Sequence, residues 1–87
     1  MSQSCERSLI LPVDLHARPA GAFSQAAARF ESSVSISSGD KEVDARSVLM
    51  VMSLGATAGT EVIVKADGSD AEGAVNALAE MLAATAA

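Results

Sequence analysis

Eighty-seven residues and 8.8 kDa allow one small domain, too short for two hydrophobic cores. Six Lys+Arg against eleven Asp+Glu leave a net charge of −5, and there is no Trp or Tyr and only two Phe, so the chain lacks the charge and the stacking platforms of a general nucleic-acid binder. One Cys and one His cannot form an internal disulfide or a structural zinc site within one chain.

Eighteen residues are Ala, so the core must come from the Val, Leu, Ile, Met and Phe side chains. The longest run of large apolar residues, Val48–Met52, is far short of a membrane span. Glu6 and Arg7 stand where a secretion signal would be apolar. These features predict a soluble cytoplasmic protein with no membrane insertion, no metal and no cofactor.

Residues Cys5–Leu11 read as a strand ended by Pro12, which has no N–H for a ladder. Asp14–Phe30 reads as a loop entering a helix, because Pro19 is tolerated only in a first helical turn. Beyond it Ala20, Phe23, Ala27 and Phe30 form an apolar stripe, with Arg18, Gln25 and Arg29 on another side. The alternation at 34–37, the turn residues Ser38-Gly39-Asp40 and the return at 41–44 predict a hairpin whose Asp40, Glu42 and Asp44 are solvated.

Ser47 is a good N-cap and Gly55 a good stop for a two-turn helix. Val51 and Leu54 make its inward pair, which leaves Val48, Leu49 and Met52 as an apolar patch for a partner. Glu61–Lys65 alternates as a strand, and Asp67-Gly68 is expected to turn the chain. Ser69 and Glu72 have the spacing of a capping box. The helix that follows presents Ala71, Ala74, Val75, Leu78, Met81 and Leu82 on one face. The order β-α-β-β-α-β-α predicts an α+β fold. In this open-faced sandwich a four-stranded antiparallel sheet carries three helices on one face. All 87 residues form one domain in this reading, with an ordered core over about 5–83.

His16 is the only imidazole and immediately precedes a helix. First-turn N–H groups lack intrahelical partners, and the helix dipole adds positive potential there. That environment favours a neutral ring with a free nitrogen, and offers donors to an anion attached to it. Arg18 adds a permanent cation with a fork of donors. Together these residues can hold a phosphoryl group on histidine, while no second acid or base except Asp14 is near for hydrolysis. Ser47 is explained by capping alone, and Cys5 reads as inert.

Leu15-His16-Ala17-Arg18-Pro19-Ala20 resembles the active-site signature of the HPr family, the phosphocarriers of the bacterial sugar phosphotransferase system. Ser47–Gly55 resembles that family's second signature, around its regulatory serine, and the likeness runs from about Glu6 to Leu82. The resemblance implies that His16 accepts a phosphoryl group on Nδ1 from Enzyme I and passes it to a histidine of a sugar-specific Enzyme IIA. It implies that Arg18 pairs with the phosphate oxygens, and that Ala20, Val48, Leu49 and Met52 dock these partners transiently. It also matches Ser47 to the serine modified by an HPr kinase/phosphorylase in many Gram-positive bacteria. The protein would be a monomeric carrier and not a stand-alone enzyme. Two other readings share the same residues. One is a paralogous carrier for nitrogen regulation or dihydroxyacetone phosphorylation. The other is a non-catalytic regulatory module that binds through Val48–Met52. Asp14 stands where the family commonly has Gly, two residues from His16, and its charge would repel a phosphate. Met50, at a position often held by Gly, enlarges the apolar patch.

Overall fold

The structure, a computed structural model, describes residues 3–85. Its elements in chain order are β1 (Gln3–Ile10), α1 (Ala17–Ala27), β2 (Ser33–Ser38), β3 (Lys41–Asp44), α2 (Val48–Ser53), β4 (Glu61–Gly68) and α3 (Ala71–Ala84). The four strands form one antiparallel sheet in the order β1-β4-β2-β3. β4, last in the chain, thus lies between β1 and β2. β1 and β2 both run antiparallel to β4, so α1 connects two parallel strands across the gap that β4 fills. α2 likewise joins β3 to β4 with β2 between them.

Strand alternation sorts the residues onto two faces. Val34 and Ile36 of β2, Val43 of β3 and Val62, Val64 and Ala66 of β4 are buried on one side. Leu9 and Cys5 of β1 pack against the same core, opposite Val62 and Ala66. Arg7 lies between them in register with Val64, at the rim of this face. Its guanidinium reaches α3, donating to Asn76 Oδ1 at 3.2 Å and pairing with Glu80 at 3.6 Å. The other face carries Glu6, Lys65, Ser35, Glu42 and Asp44, which suits contact with water. There Ser35 Oγ donates to Glu42 at 2.9 Å, and Lys65 pairs with the same carboxylate at 3.6 Å.

α3 lies across β1 and β4, α2 leans on β3, and α1 packs against both other helices. The apolar stripes meet as expected: Ala20, Phe23 and Ala27 of α1, Val51 of α2, and Ala71, Ala74, Val75, Leu78 and Leu82 of α3 are buried. Phe23 is fully enclosed, and truncating such a residue to Ala typically costs about 3–5 kcal/mol. Met81, assigned to the α3 stripe from its spacing, is exposed instead, because its neighbour Leu82 takes the inward position of that turn.

Ser47 caps α2 as expected, its Oγ accepting from Met50 N–H at 3.2 Å, and Gly55 (φ +61) stops it. Two other local readings fail. Asp67-Gly68 is not a turn: β4 runs through both residues, because Gln3 and Ser4 pair on one side and Ser33 on the other. Ladder bonds on both edges outweigh a local turn preference. The capping box also fails. The N-cap of α3 is Asp70, not Ser69, and its side chain makes no cap hydrogen bond. Its carboxylate instead accepts the N–H groups of Glu31 and Ser32, each at 2.9 Å, and the Ser32 hydroxyl. These bonds tie the turn before β2 to the turn before α3. They also hold the Asp70 carboxyl below the usual carboxylate range, the Ser32 hydroxyl contributing most and the Glu31 N–H next.

Candidate functional site

His16 is the N-cap residue of α1, with extended backbone (φ −93, ψ −166). Its carbonyl accepts the Ala20 N–H at 2.9 Å, closing the first helical bond. Its side chain makes no capping bond and is exposed. The imidazole therefore stands free at the positive end of the helix. Arg18, two residues further and second in the helix, is also exposed, and among the described residues its guanidinium has no hydrogen-bond or ion-pair partner. Pro19, third in the helix, is buried, and its missing N–H removes a donor that has no intrahelical acceptor.

The loop that delivers His16 is fastened to a second loop. Leu11 N–H donates to Thr60 O at 2.9 Å, and Gly59 N–H returns a bond to Leu11 O at 2.8 Å. Leu15 is buried, and its N–H donates to Ala56 O at 2.9 Å. Between these anchors Asp14 Oδ1 accepts the Ala58 N–H at 2.8 Å. His16 thus leaves a braced segment with its side chain facing outward.

Two hollows flank the ring. The larger, about 610 Å³, runs from Pro12 and Val13 past His16 and Arg18 to Pro19, Ala22 and Thr85. Thr85, just past the end of α3, joins the site from the far end of the chain, and nothing in its sequence context signals this. The smaller hollow, about 230 Å³, lies between His16 and the end of α2, where Met52, Gly55 and Thr57 line it. The two sequence motifs therefore meet: the end of the second adjoins the histidine of the first. Ser47 lines neither hollow. It sits at the opposite end of α2, about 9 Å away for six residues at 1.5 Å each.

The apolar patch differs in membership from the expectation. Leu49 is 79% exposed, Met50 45% and Met52 37%. Val48, expected in the patch, is half-buried and packs against the core, since it begins the turn whose Val51 faces inward. Ala20, expected at the docking surface, is wholly buried. It is part of the α1 stripe that faces the core, so its methyl cannot touch a partner. Met50, one residue from the buried Val51, takes up the exposed area instead.

A further depression of about 400 Å³ on the open face of the sheet is bordered by Asp44, Arg46, Lys65 and Asp67. Arg46 is engaged there, donating to the carbonyls of Phe30 and Ser32. Cys5 is half-buried, and among the described residues no group of three or more His, Cys, Asp or Glu could hold a metal ion. No helix of the described residues is long and apolar enough to cross a membrane.

Residues 4–84 match the family model described as the PTS HPr component phosphorylation site. The phosphocarrier protein HPr of Mycoplasma capricolum subsp. capricolum is 36% identical over 74 residues, covering 85% of this chain and 83% of the relative. The crystal structure of a phosphocarrier protein HPr from Bacillus anthracis str. Ames superposes with a TM-score of 0.86 at 34% identity, over 91% of this chain and 96% of that one. A Mycoplasma histidine-containing phosphocarrier protein superposes with a TM-score of 0.83 at 34% identity, over 88% and 90% of the two chains.

Proposed function

Because the chain belongs to the HPr family of the phosphotransferase system, we propose that it is the system's mobile phosphoryl carrier, with His16 as the phosphoacceptor. The observation that carries this reading is the free imidazole at the N-cap of α1, with Arg18 beside it and open hollows on both sides. In the charging step the lone pair of His16 Nδ1 attacks the phosphorus held on a histidine of Enzyme I. The old P–N bond breaks, its electron pair returns to the donor ring, and the proton given up by the His16 ring is matched by one taken up by the donor ring. Nothing is oxidised or reduced. Arg18 and the α1 first-turn N–H groups balance the charge of the incoming group. In the discharging step the same exchange passes the phosphoryl group to a histidine of Enzyme IIA.

Such a transfer needs little more than an exposed nucleophile and in-line access. Leu49, Met50 and Met52 form the apolar surface on which both partners dock in turn, with the chain acting as a monomer in the cytoplasm. Docking of this kind is brief, because one carrier serves several partners. Phosphorylation of Ser47 by a kinase would add charge next to Val48 and Leu49 and oppose docking of an acidic partner surface. The phosphate would sit at the α2 N-terminus, where Ser47 Oγ already accepts the Met50 N–H.

The test is incubation with Enzyme I and labelled phosphoenolpyruvate. An acid-labile, base-stable adduct is expected on the native protein and none on His16→Ala. Labelling that survives His16→Ala overturns the assignment. Binding of partners that ignores His16 while labelling fails would point to a purely regulatory module.

A further inference from the structure

The two hollows that flank His16 share only two lining residues, His16 itself and Asp14. The Asp14 carboxylate therefore borders both approaches to the imidazole. It is also held there. Oδ1 accepts the Ala58 N–H at 2.8 Å, from a loop that three backbone hydrogen bonds fasten to residues 11–15. A free carboxylate would swing away from an arriving anion, whereas this one is anchored 44 residues across the fold. Among all residues lining the two hollows, Arg18 is the only Arg or Lys and Asp14 the only Asp or Glu. A phosphoryl group on His16 thus meets one mobile positive charge, on Arg18, and one anchored negative charge, on Asp14.

We infer that Asp14 is a tuning residue for phosphoryl release: its anchored carboxylate offsets the grip of Arg18 and keeps the phosphohistidine ready to discharge. The inference rests on the phosphocarrier reading of His16 and adds to it a residue that acts on the phosphorylated state. The physical reason is repulsion. Two negative groups held close together raise the energy of the charged carrier relative to the discharged one. When the group leaves for water, an oxygen–phosphorus bond forms as the N–P bond breaks, and the electron pair stays on the ring nitrogen. One water proton goes to that nitrogen, and hydrogen phosphate departs. When it leaves for an acceptor histidine, the same bond breaks and a new P–N bond forms. In both cases the repulsion from Asp14 is relieved.

The experiment charges His16 chemically with phosphoramidate, so that it does not depend on Enzyme I. The lifetime of the phosphohistidine is then followed by phosphorus NMR. Asp14→Asn keeps an oxygen to accept the Ala58 N–H but removes the charge. It should lengthen the lifetime about threefold at low salt, and the difference should shrink in 1 M salt. Asp14→Ala should lengthen it likewise, and in addition speed hydrogen exchange at the Ala58 amide. A lifetime in Asp14→Asn equal to that of the native protein overturns the inference, as does a change in Asp14→Ala alone, which would make Asp14 a structural tether only. Failure of Enzyme I to label the native chain would count against the carrier function and leave this comparison readable.

Discussion

Replacing Gly68 with Ala would put a Cβ 2.6 Å from Ser32 Oγ, 2.7 Å from Ser32 Cα and 3.0 Å from Ser32 Cβ. The second contact is with backbone, so a side-chain rotation cannot relieve it. Optimal carbon–carbon separation is about 3.5–4.0 Å, so the chain at Ser32 must retreat by roughly 1 Å. Overpacking of this kind costs about 1–3 kcal/mol. Gly68 also sits at φ +154, a conformation that costs an L-residue about 1–3 kcal/mol more. A combined loss of about 3 kcal/mol is a large part of the stability of a domain this size, roughly 4–13 kcal/mol at 0.05–0.15 kcal/mol per residue. The melting temperature should fall by about 12–24 °C. The assay is far-UV circular dichroism, since a chain without Trp or Tyr offers no useful intrinsic fluorescence. Gly73→Ala is the matched control: nothing lies within 4 Å of the added methyl, and the residue is inside α3. It should gain about 0.5 kcal/mol and melt slightly higher. If Gly68→Ala melted at or above the native protein, the close approach of β4 to Ser32 would not hold.

Three further outcomes follow from particular contacts. The Asp70 carboxyl is held below its ordinary range, so its ionised form stabilises the fold fully above the unfolded value near pH 4. That contribution fades as pH falls through the lower folded value. Urea midpoints should therefore separate Asp70→Ala from the native protein at pH 7, and the gap should narrow below about pH 4; an undiminished gap at pH 2 would contradict the linkage. Ser47→Ala removes the acceptor for Met50 N–H and should cost about 1 kcal/mol, while Ser47→Asp retains a cap and should melt near the native temperature. Leu49→Glu, at a position 79% exposed, should leave stability within about 0.5 kcal/mol of the native value. It should raise the KM for transfer from Enzyme I, and an unchanged KM would remove Leu49 from the docking surface.

What the sequence alone determined is local. The stripe Ala20–Phe23–Ala27, the alternation at 34–37 and the Ser47 cap rest on neighbours three or four residues apart at most, so periodicity and side-chain chemistry suffice to read them. His16 and Arg18 were legible for the same reason: the helix that positions them starts one residue after the histidine. The place of the sheet-forming segments in the order β1-β4-β2-β3 was not, because insertion of β4 between two earlier strands depends on which faces bury together.

Asp70 shows the limit most directly. Its sequence context suggests an ordinary helix start beside Ser69 and Glu72, yet its carboxylate serves N–H groups 38 and 39 residues away. The sequence places Asp14 two residues from His16, but only the fold brings Ala58 N–H to its carboxylate across 44 residues. Ala20 and Val48 were expected at a docking surface from the resemblance, but tertiary packing buries the first completely and the second halfway. Hydrogen bonds between distant backbones and the burial of one helix side against another leave no periodic mark in the chain. Only folding brings those groups within a few ångströms, and there the tertiary structure decides which charges are tethered and which methyl groups meet water.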